Sequence, residues 1–430
     1  MKNKFKLVFL LPALLLASCN FKYTYVIKGL VLGGGDMDDV DDGIDDAGTY
    51  NIKVWVDDKI VSLTQTQIQA FESSSGGKYT INATVEPQSE GTAASSMLQD
   101  VQSGADIFVF AQDQLARLKV AGAVSKLTGN YETFVRNNNS EDSVKAASLS
   151  NGIYAYPITS DNGYFLYYDK SIISDQDATN MTSILAKCRA AGKVLNFEGR
   201  SNGFYAASYF LAMGCKSTWV LDEKTGKFTD FDDTFNSENG IIAARGLKEI
   251  ADTSVVASNS QASKLNNSAA AVISGVWEYD VALKRLGPDR LGCAKMPSFT
   301  VDGVDHQLSS FDGYKLMGVK PQVDEKKASV CRKLARYLTG SECQTQRFQE
   351  VSWGPTNIDS ADRDEVKSHP GLAALYEQHE FATQQGQCPG AWFVALATTA
   401  KAIKDDSTEA DIRKVLTNYS NGLPDLLSED

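Results

Sequence analysis

Histidine is scarce in this sequence: only His306, His369 and His379 occur in 430 residues. That argues against a metal centre built on several imidazoles. None of the seven cysteines forms a C-x-x-C pair, so neither a zinc ribbon nor thioredoxin chemistry is indicated. The phosphate-cradling G-x-x-x-x-G-K-[ST] and the nucleophile elbow G-x-S-x-G are both missing. His379-Glu380 opens like H-E-x-x-H, but Thr383 stands where the second histidine must be, and zinc is left without two ligands one helical turn apart. Gly33-Gly34-Gly35 lacks the helix behind it that would hold a phosphate. Positive charge is short as well. Lys and Arg number 42 against 54 Asp and Glu, a net −12, which speaks against nucleic acid as the main partner because phosphate binding needs clustered cations. No apolar run is long enough to span a bilayer well: Leu7 to Ala17 is eleven residues, roughly 16 Å of helix, about half the hydrocarbon core.

What is present is the composition of a soluble globular chain, 43% hydrophobic, 22% charged and 10% aromatic, long enough for two or three domains. Lys2, Lys4 and Lys6 precede the apolar run, and Leu16-Ala17-Ser18-Cys19 follows it. A basic start, a short apolar stretch and small residues before a cut form an export signal over residues 1–18. Leu-Ala-Ser-Cys resembles the lipobox of bacterial lipoproteins, which implies an acylated Cys19 as the mature N-terminus and anchoring to the cell membrane through its lipids. Residues 19–50 then carry three glycines in a row and aspartates at 36, 38, 39, 41, 42, 45 and 46. A calcium loop does not fit: with Gly43 at the sixth position, Val40 falls on a ligand position and Thr49 where the bidentate Glu belongs. The stretch reads as a solvated, self-repelling tether. Losing three lysines with 1–18 leaves −15, and losing two lysines and seven aspartates with 19–50 leaves −10 for the body. The six later cysteines are scattered and are expected mostly as buried thiols, with one or two bridges at best.

The body reads as α/β. Ile52, Val54 and Val56 alternate as in a strand, as do Tyr79, Ile81, Ala83 and Val85, and Ile107 to Phe110 is a short apolar strand. Between and after them Leu63, Ile68 and Phe71, then Ala94, Met97, Leu98 and Val101, then Leu115, Leu118 and Ala121 take helical spacing. This succession of βαβ units predicts a mainly parallel sheet. A second α/β region follows, with strands at Val194 to Phe197 and Ala269 to Ile273 and helices at Tyr205 to Ala212 and Val281 to Leu286. The last hundred residues are helical, over Ala328 to Leu338, Glu342 to Glu350, Trp392 to Ile403 and Glu409 to Tyr419. Five tryptophans, at 55, 219, 277, 353 and 392, stand largely beside polar residues at element ends. Flat rings beside planar polar groups suit a sugar, whose C–H face packs on a ring while its hydroxyls hydrogen-bond; packing in a core is the competing explanation for each. Asp57-Asp58 cannot by itself be the carboxyl pair of a glycosidase, because neighbours on a strand point to opposite faces.

Several segments follow one another in a recognisable order. Ile52-Lys53-Val54-Trp55-Val56 comes first, then Gly104-Ala105-Asp106-Ile107, similar to a "G-x-x-P-D-I" strand with Ala105 in the proline position. Leu115 to Leu127 is similar to an "L…aG.l.pL" element. Tyr156-Pro157-Ile158 with Tyr164 to Lys170 resembles a hinge signature in which Asn is common where Asp169 stands. Ala269 to Trp277 is similar to an "aAM…GpW" strand and turn, and Gly354-Pro355-Thr356 and the final helix pair complete the series over about residues 50–425. Together, in this order and spacing, they resemble a known family, the extracellular solute-binding proteins of ABC transporters of the maltose-binding type.

That resemblance implies a two-lobe, hinge-linked α/β fold of the type II periplasmic-binding-protein class with C-terminal helices. Its N-lobe would comprise 50–157 and 312–358, and its C-lobe 160–308 and 365–430. The implied function is capture of a small molecule, foremost a carbohydrate or oligosaccharide, between the lobes and its delivery to an ABC permease. It implies no catalytic residue, metal or cofactor, and a monomer. Carried over by position, the ligand contacts would be Trp55 and Asp57 at the end of the first strand, Glu90 after the second, Gln112 and Asp113 after the third, Asp161 past the first hinge crossing, Phe204 or Tyr205 opening a C-lobe helix, and Trp277 and Trp392 as aromatic platforms. A polyamine, thiamine, an anion or an iron complex would fit the same fold. A secreted glycosidase and a scaffold lipoprotein without a ligand are the readings from other classes.

Overall fold

The computed structural model describes residues 24–27, 30–33 and 42–427. Cys19 and the export signal lie outside the described residues. Residues 1–35 and 36–430 form separate units. In the first, Thr24–Ile27 and Leu30–Gly33 pair as antiparallel strands, within the segment read from sequence as tether.

The body is built on two five-stranded sheets. In the first, Gly48–Val56 pairs in parallel with Tyr79–Pro87 on one side and Ile107–Ala111 on the other. Tyr50, Ile52, Val54 and Val56 turn into the core, the period-two pattern of a strand. Helices Val61–Ser74 and Glu90–Gln99 make the crossovers. One strand departs from the parallel expectation. Lys315–Val319 runs antiparallel to Ile107–Ala111 and to the edge strand Tyr156–Thr159, because it enters this sheet from the second lobe and therefore starts where the others end. Pro157 is tolerated because its strand lies at the edge. One core gathers residues 50–158 with 314–338 and Trp353.

The second sheet has the order 256–257, 194–196, 269–274, 165–169, 291–294. Ala269–Ser274 is buried along its whole length, as a central strand must be, and runs antiparallel to Phe165–Asp169. Its core takes in helix Gly203–Ala212, helix Glu238–Leu247 and the closing pair Gly390–Ala402 and Glu409–Gly422. A smaller apolar cluster covers the other face of this sheet. Among the described residues Cys188, Cys215, Cys293, Cys331 and Cys388 are unbridged, and all of these but Cys293 are buried. Among the described residues no helix is long and apolar enough to cross a membrane.

One part of the acidic stretch is not solvated. Asp46 is fully buried. Its carboxylate accepts from Tyr79, Ser329 and Lys333 and pairs with Lys78 at 2.9 Å. Asp42 accepts from Tyr131 and Ser329 and lies 3.3 Å from the Lys333 ammonium. Charge that repels itself in isolation is here divided among cations and hydroxyls of the first lobe, so the chain from Asp42 onward is docked.

Candidate functional site

Three stretches connect the lobes, and they lie side by side. Ser160 N–H donates to the Gly354 carbonyl at 2.9 Å and Asn162 N–H to that of Gly313 at 3.2 Å. The Asp161 carboxylate accepts from Gly354 N–H at 2.9 Å. The packing is close enough that a Cβ on Gly163 would come 2.8 Å from the Phe311 carbonyl oxygen, so only glycine fits that crossing without a shift.

The register of the first sheet brings the carboxyl ends of its strands and the amino end of Lys315–Val319 to one edge, since Lys315 pairs with Ala111 and Thr159. The ends of parallel strands are where α/β sheets bind ligands. At this edge the Lys315 ammonium, only 1% exposed, lies 3.4 Å from Glu90 and 3.8 Å from Asp161. It stands 4.0 Å from the ring centre of Trp353 and 5.6 Å from that of Trp277. Trp277 reaches it from the second lobe, just past the end of Ala269–Ser274. Burial opposes the charge of Glu90, but Lys315 outweighs it and holds the carboxyl below its ordinary range. Burial also opposes the lysine charge, and Glu90, Asp161 and Asp57 outweigh it and raise the ammonium. Asp57 moves the other way, pushed up by burial and by the neighbouring Asp58 and Glu90 against the Lys59 backbone N–H. The buried Trp353 indole N–H and Asp161 Oδ1 have no hydrogen-bond partner. Unspent polar atoms of this kind are what a ligand or water satisfies.

The lobes touch around this floor. Lys59 Nζ donates to the Trp277 carbonyl at 2.7 Å, and Ser352 Oγ to Asp280 at 3.0 Å. On another side the hairpin Ser217–Leu221 and Phe228–Asp233 presents Glu223, whose carboxylate accepts from Ser150 N–H at 3.2 Å while its carbonyl takes Lys119.

Of the residues expected from sequence, the structure brings Asp57, Glu90, Asp161 and Trp277 together around Lys315. Trp55 instead donates its indole N–H to Glu86 on the adjacent strand at 2.8 Å. Gln112 is buried, accepting from Tyr314 N–H and donating to the Gln385 carbonyl. Asp113 is buried too, its carboxyl raised by that burial. Phe204 stacks on Phe311 at 5.3 Å; Tyr205 packs against Tyr164 at 4.8 Å and is 4% exposed. Trp392 lies in the second lobe's core, 3% exposed, with its N–H given to the Tyr419 hydroxyl at 2.8 Å. Sequence reasoning passed over Lys315 and Lys59 as contacts, and named Trp353 only among the five tryptophans whose rings would suit a sugar. The one available sign of Lys315 was a cation opening an otherwise apolar run, Lys315-Leu316-Met317-Gly318-Val319.

Residues 66–374 match the family of bacterial extracellular solute-binding proteins. That is well over half of the chain, and the protein belongs to this family, a family of binding proteins that work outside the cytoplasm. No curated protein matches the sequence significantly. Among solved structures, one determined with acarbose superposes with a TM-score of 0.76 at 26% identity, covering 88% of this chain and all of the other. The maltodextrin-binding protein MalE1 of L. casei BL23 gives 0.69 at 21% identity, over 89% and 98% of the two chains. The GacH receptor of Streptomyces glaucescens GLA.O gives 0.70 at 16%, over 88% and 98%. The last two likenesses establish the two-lobe fold.

Proposed function

We propose that this protein captures a carbohydrate, of the maltodextrin class, between its lobes and presents it to the permease of an ABC importer. The observation that carries the reading is the floor at Lys315: the half-buried face of Trp277 from the second lobe beside three carboxylates. A sugar ring packs its C–H face on an indole, and each carboxylate accepts from its hydroxyls in charge-assisted bonds. The relatives solved with acarbose and named for maltodextrin support the same ligand class. We read the protein as a binder without turnover. The match to a family of binding proteins supports that reading. Acylation at Cys19 would tether it to the cell membrane as a monomer beside its permease.

The test is a thermal melt and calorimetric titration with maltose, maltotriose and maltotetraose, alongside spermidine, thiamine and phosphate. A ligand at about a thousand times its dissociation constant adds roughly 4 kcal/mol and lifts the midpoint by several degrees. A shift with one of the sugars and no release of reducing ends is the expected result. A folded protein indifferent to every sugar overturns the carbohydrate reading.

A further inference from the structure

The Lys315 ammonium is held as a free alkylammonium ligand would be held. It lies between two indoles, at 4.0 Å and 5.6 Å, with Glu90 at 3.4 Å and Asp161 at 3.8 Å. Aromatic faces and carboxylates around a desolvated cation are the general means of recognising an amine. The same set of residues could therefore serve a polyamine, were the chain's own lysine not in the place.

We infer that Lys315 is the built-in counter-cation of the interlobe site, occupying the position of a ligand ammonium and so turning an amine-binding arrangement into one for neutral polyhydroxylated ligands. The inference rests on the carbohydrate reading for its biological meaning, but its physical content is separate. A second cation entering beside Lys315 meets like charge in a dry site, which costs it affinity. A neutral ligand meets no such repulsion, and it finds carboxylate oxygens as hydroxyl acceptors and a Trp353 N–H without a hydrogen-bond partner. Position in the fold explains why a lysine can do this: Lys315 opens a buried strand at the edge where the other strands of its sheet end. Its aliphatic stem is thus buried and only the ammonium reaches the floor.

The experiment titrates 1,4-diaminobutane and spermidine into the wild-type protein, Lys315→Met and Lys315→Arg, with maltotriose run in parallel. Lys315→Met removes the charge and leaves an apolar stem of similar length, and should bind both amines at least about tenfold more tightly than wild type. Lys315→Arg keeps the charge and should show no such gain. A folded Lys315→Met that gains nothing, or a wild type that binds the amines equally well, overturns the inference. Should Lys315→Met not fold, Lys315→Met/Glu90→Gln removes one charge of each sign; a smaller gain, about threefold, is expected of it because one carboxylate is lost with the lysine, and no gain in the folded double variant overturns the inference equally. Maltotriose binding by the wild type reports on the carbohydrate reading alone, so a protein that fails there while Lys315→Met gains amine affinity refutes the sugar and keeps the counter-cation.

Discussion

The carboxylate of Asp161 accepts the backbone N–H of Gly354 at 2.9 Å and so ties the first crossing between the lobes to the third. The other oxygen of the same carboxylate stands 3.8 Å from Lys315 Nζ. One buried side chain thus joins the hinge to the floor of the site. We predict that Asp161→Ala destabilises the protein by about 3 kcal/mol in urea denaturation, because it leaves a buried ammonium short of a partner and a buried N–H unmet. Asp161→Asn retains an acceptor for Gly354 and should lose roughly half as much. An alanine variant within about 0.5 kcal/mol of wild type would show that the crossing does not depend on this bond.

The docked acidic segment makes a prediction in pH. Burial opposes the charge of Asp46, but hydrogen bonds from Lys333, Lys78 and Ser329 outweigh it and hold the carboxyl far below its ordinary range. An aspartate whose folded pKa is depressed contributes stability that is complete above its unfolded value, about 3.9, and is lost as pH falls toward the folded one. Asp46→Asn should therefore cost about 2 kcal/mol near pH 7, and its deficit against wild type should shrink steadily below about pH 4. Urea midpoints of both proteins between about pH 3 and pH 7 measure this. A deficit of constant size across that range would show that the carboxylate's charge is not what Asp46 contributes.

These two residues mark where sequence reading succeeds and stops. Ile52, Val54 and Val56 announce a strand by alternation, and Ala328 to Leu338 a helix by its spacing, because both signals lie within a few residues of chain. Order and spacing of such segments led to the two-lobe fold and to Asp57, Glu90, Asp161 and Trp277. Lys315 was hard to see because its neighbours Asp57, Glu90, Asp161, Trp277 and Trp353 come from five separate segments, and because the return strand that carries it runs against the parallel pattern. The acidic stretch misled for a related reason: like charges repel only until the fold supplies Lys333 and Lys78, and those are distant in the chain. Trp392 shows the reverse error, since a tryptophan at an element end does not reveal which way its ring turns.

Glu223 bridges from the second lobe's hairpin to Ser150 of the first. The contact exists only while the lobes are together, and Ser150 is exposed, so its worth is that of a surface interaction, about 0.5–1 kcal/mol. We predict that Glu223→Ala weakens maltotriose binding roughly threefold, through faster release, with little change in the melting of the unliganded protein. Stopped-flow release rates decide it; an unchanged rate would mean that this bridge does not hold the lobes together.

Trp277 was the foremost platform candidate in the sequence and Trp392 another, and the structure gives them different surroundings. Trp277 is half-buried at the interlobe floor, its ring centre 5.6 Å from the Lys315 ammonium. Trp392 is enclosed by Phe235, Phe311 and Phe393, with its N–H bonded to Tyr419. Removing an indole from a packed core costs its burial and leaves a cavity, about 4 kcal/mol for a change to alanine, while removing a partly open ring costs mainly what it contributes to a ligand. Trp277→Ala is therefore expected to lose at least about tenfold in maltotriose affinity while melting near wild type. Trp392→Ala should melt many degrees lower, yet at a temperature where it is folded it should bind within about threefold of wild type, since its ring faces the core and not the cleft. The reverse pattern, with affinity following Trp392 and stability following Trp277, would place the sugar at the far side of the second lobe and remove it from the floor at Lys315.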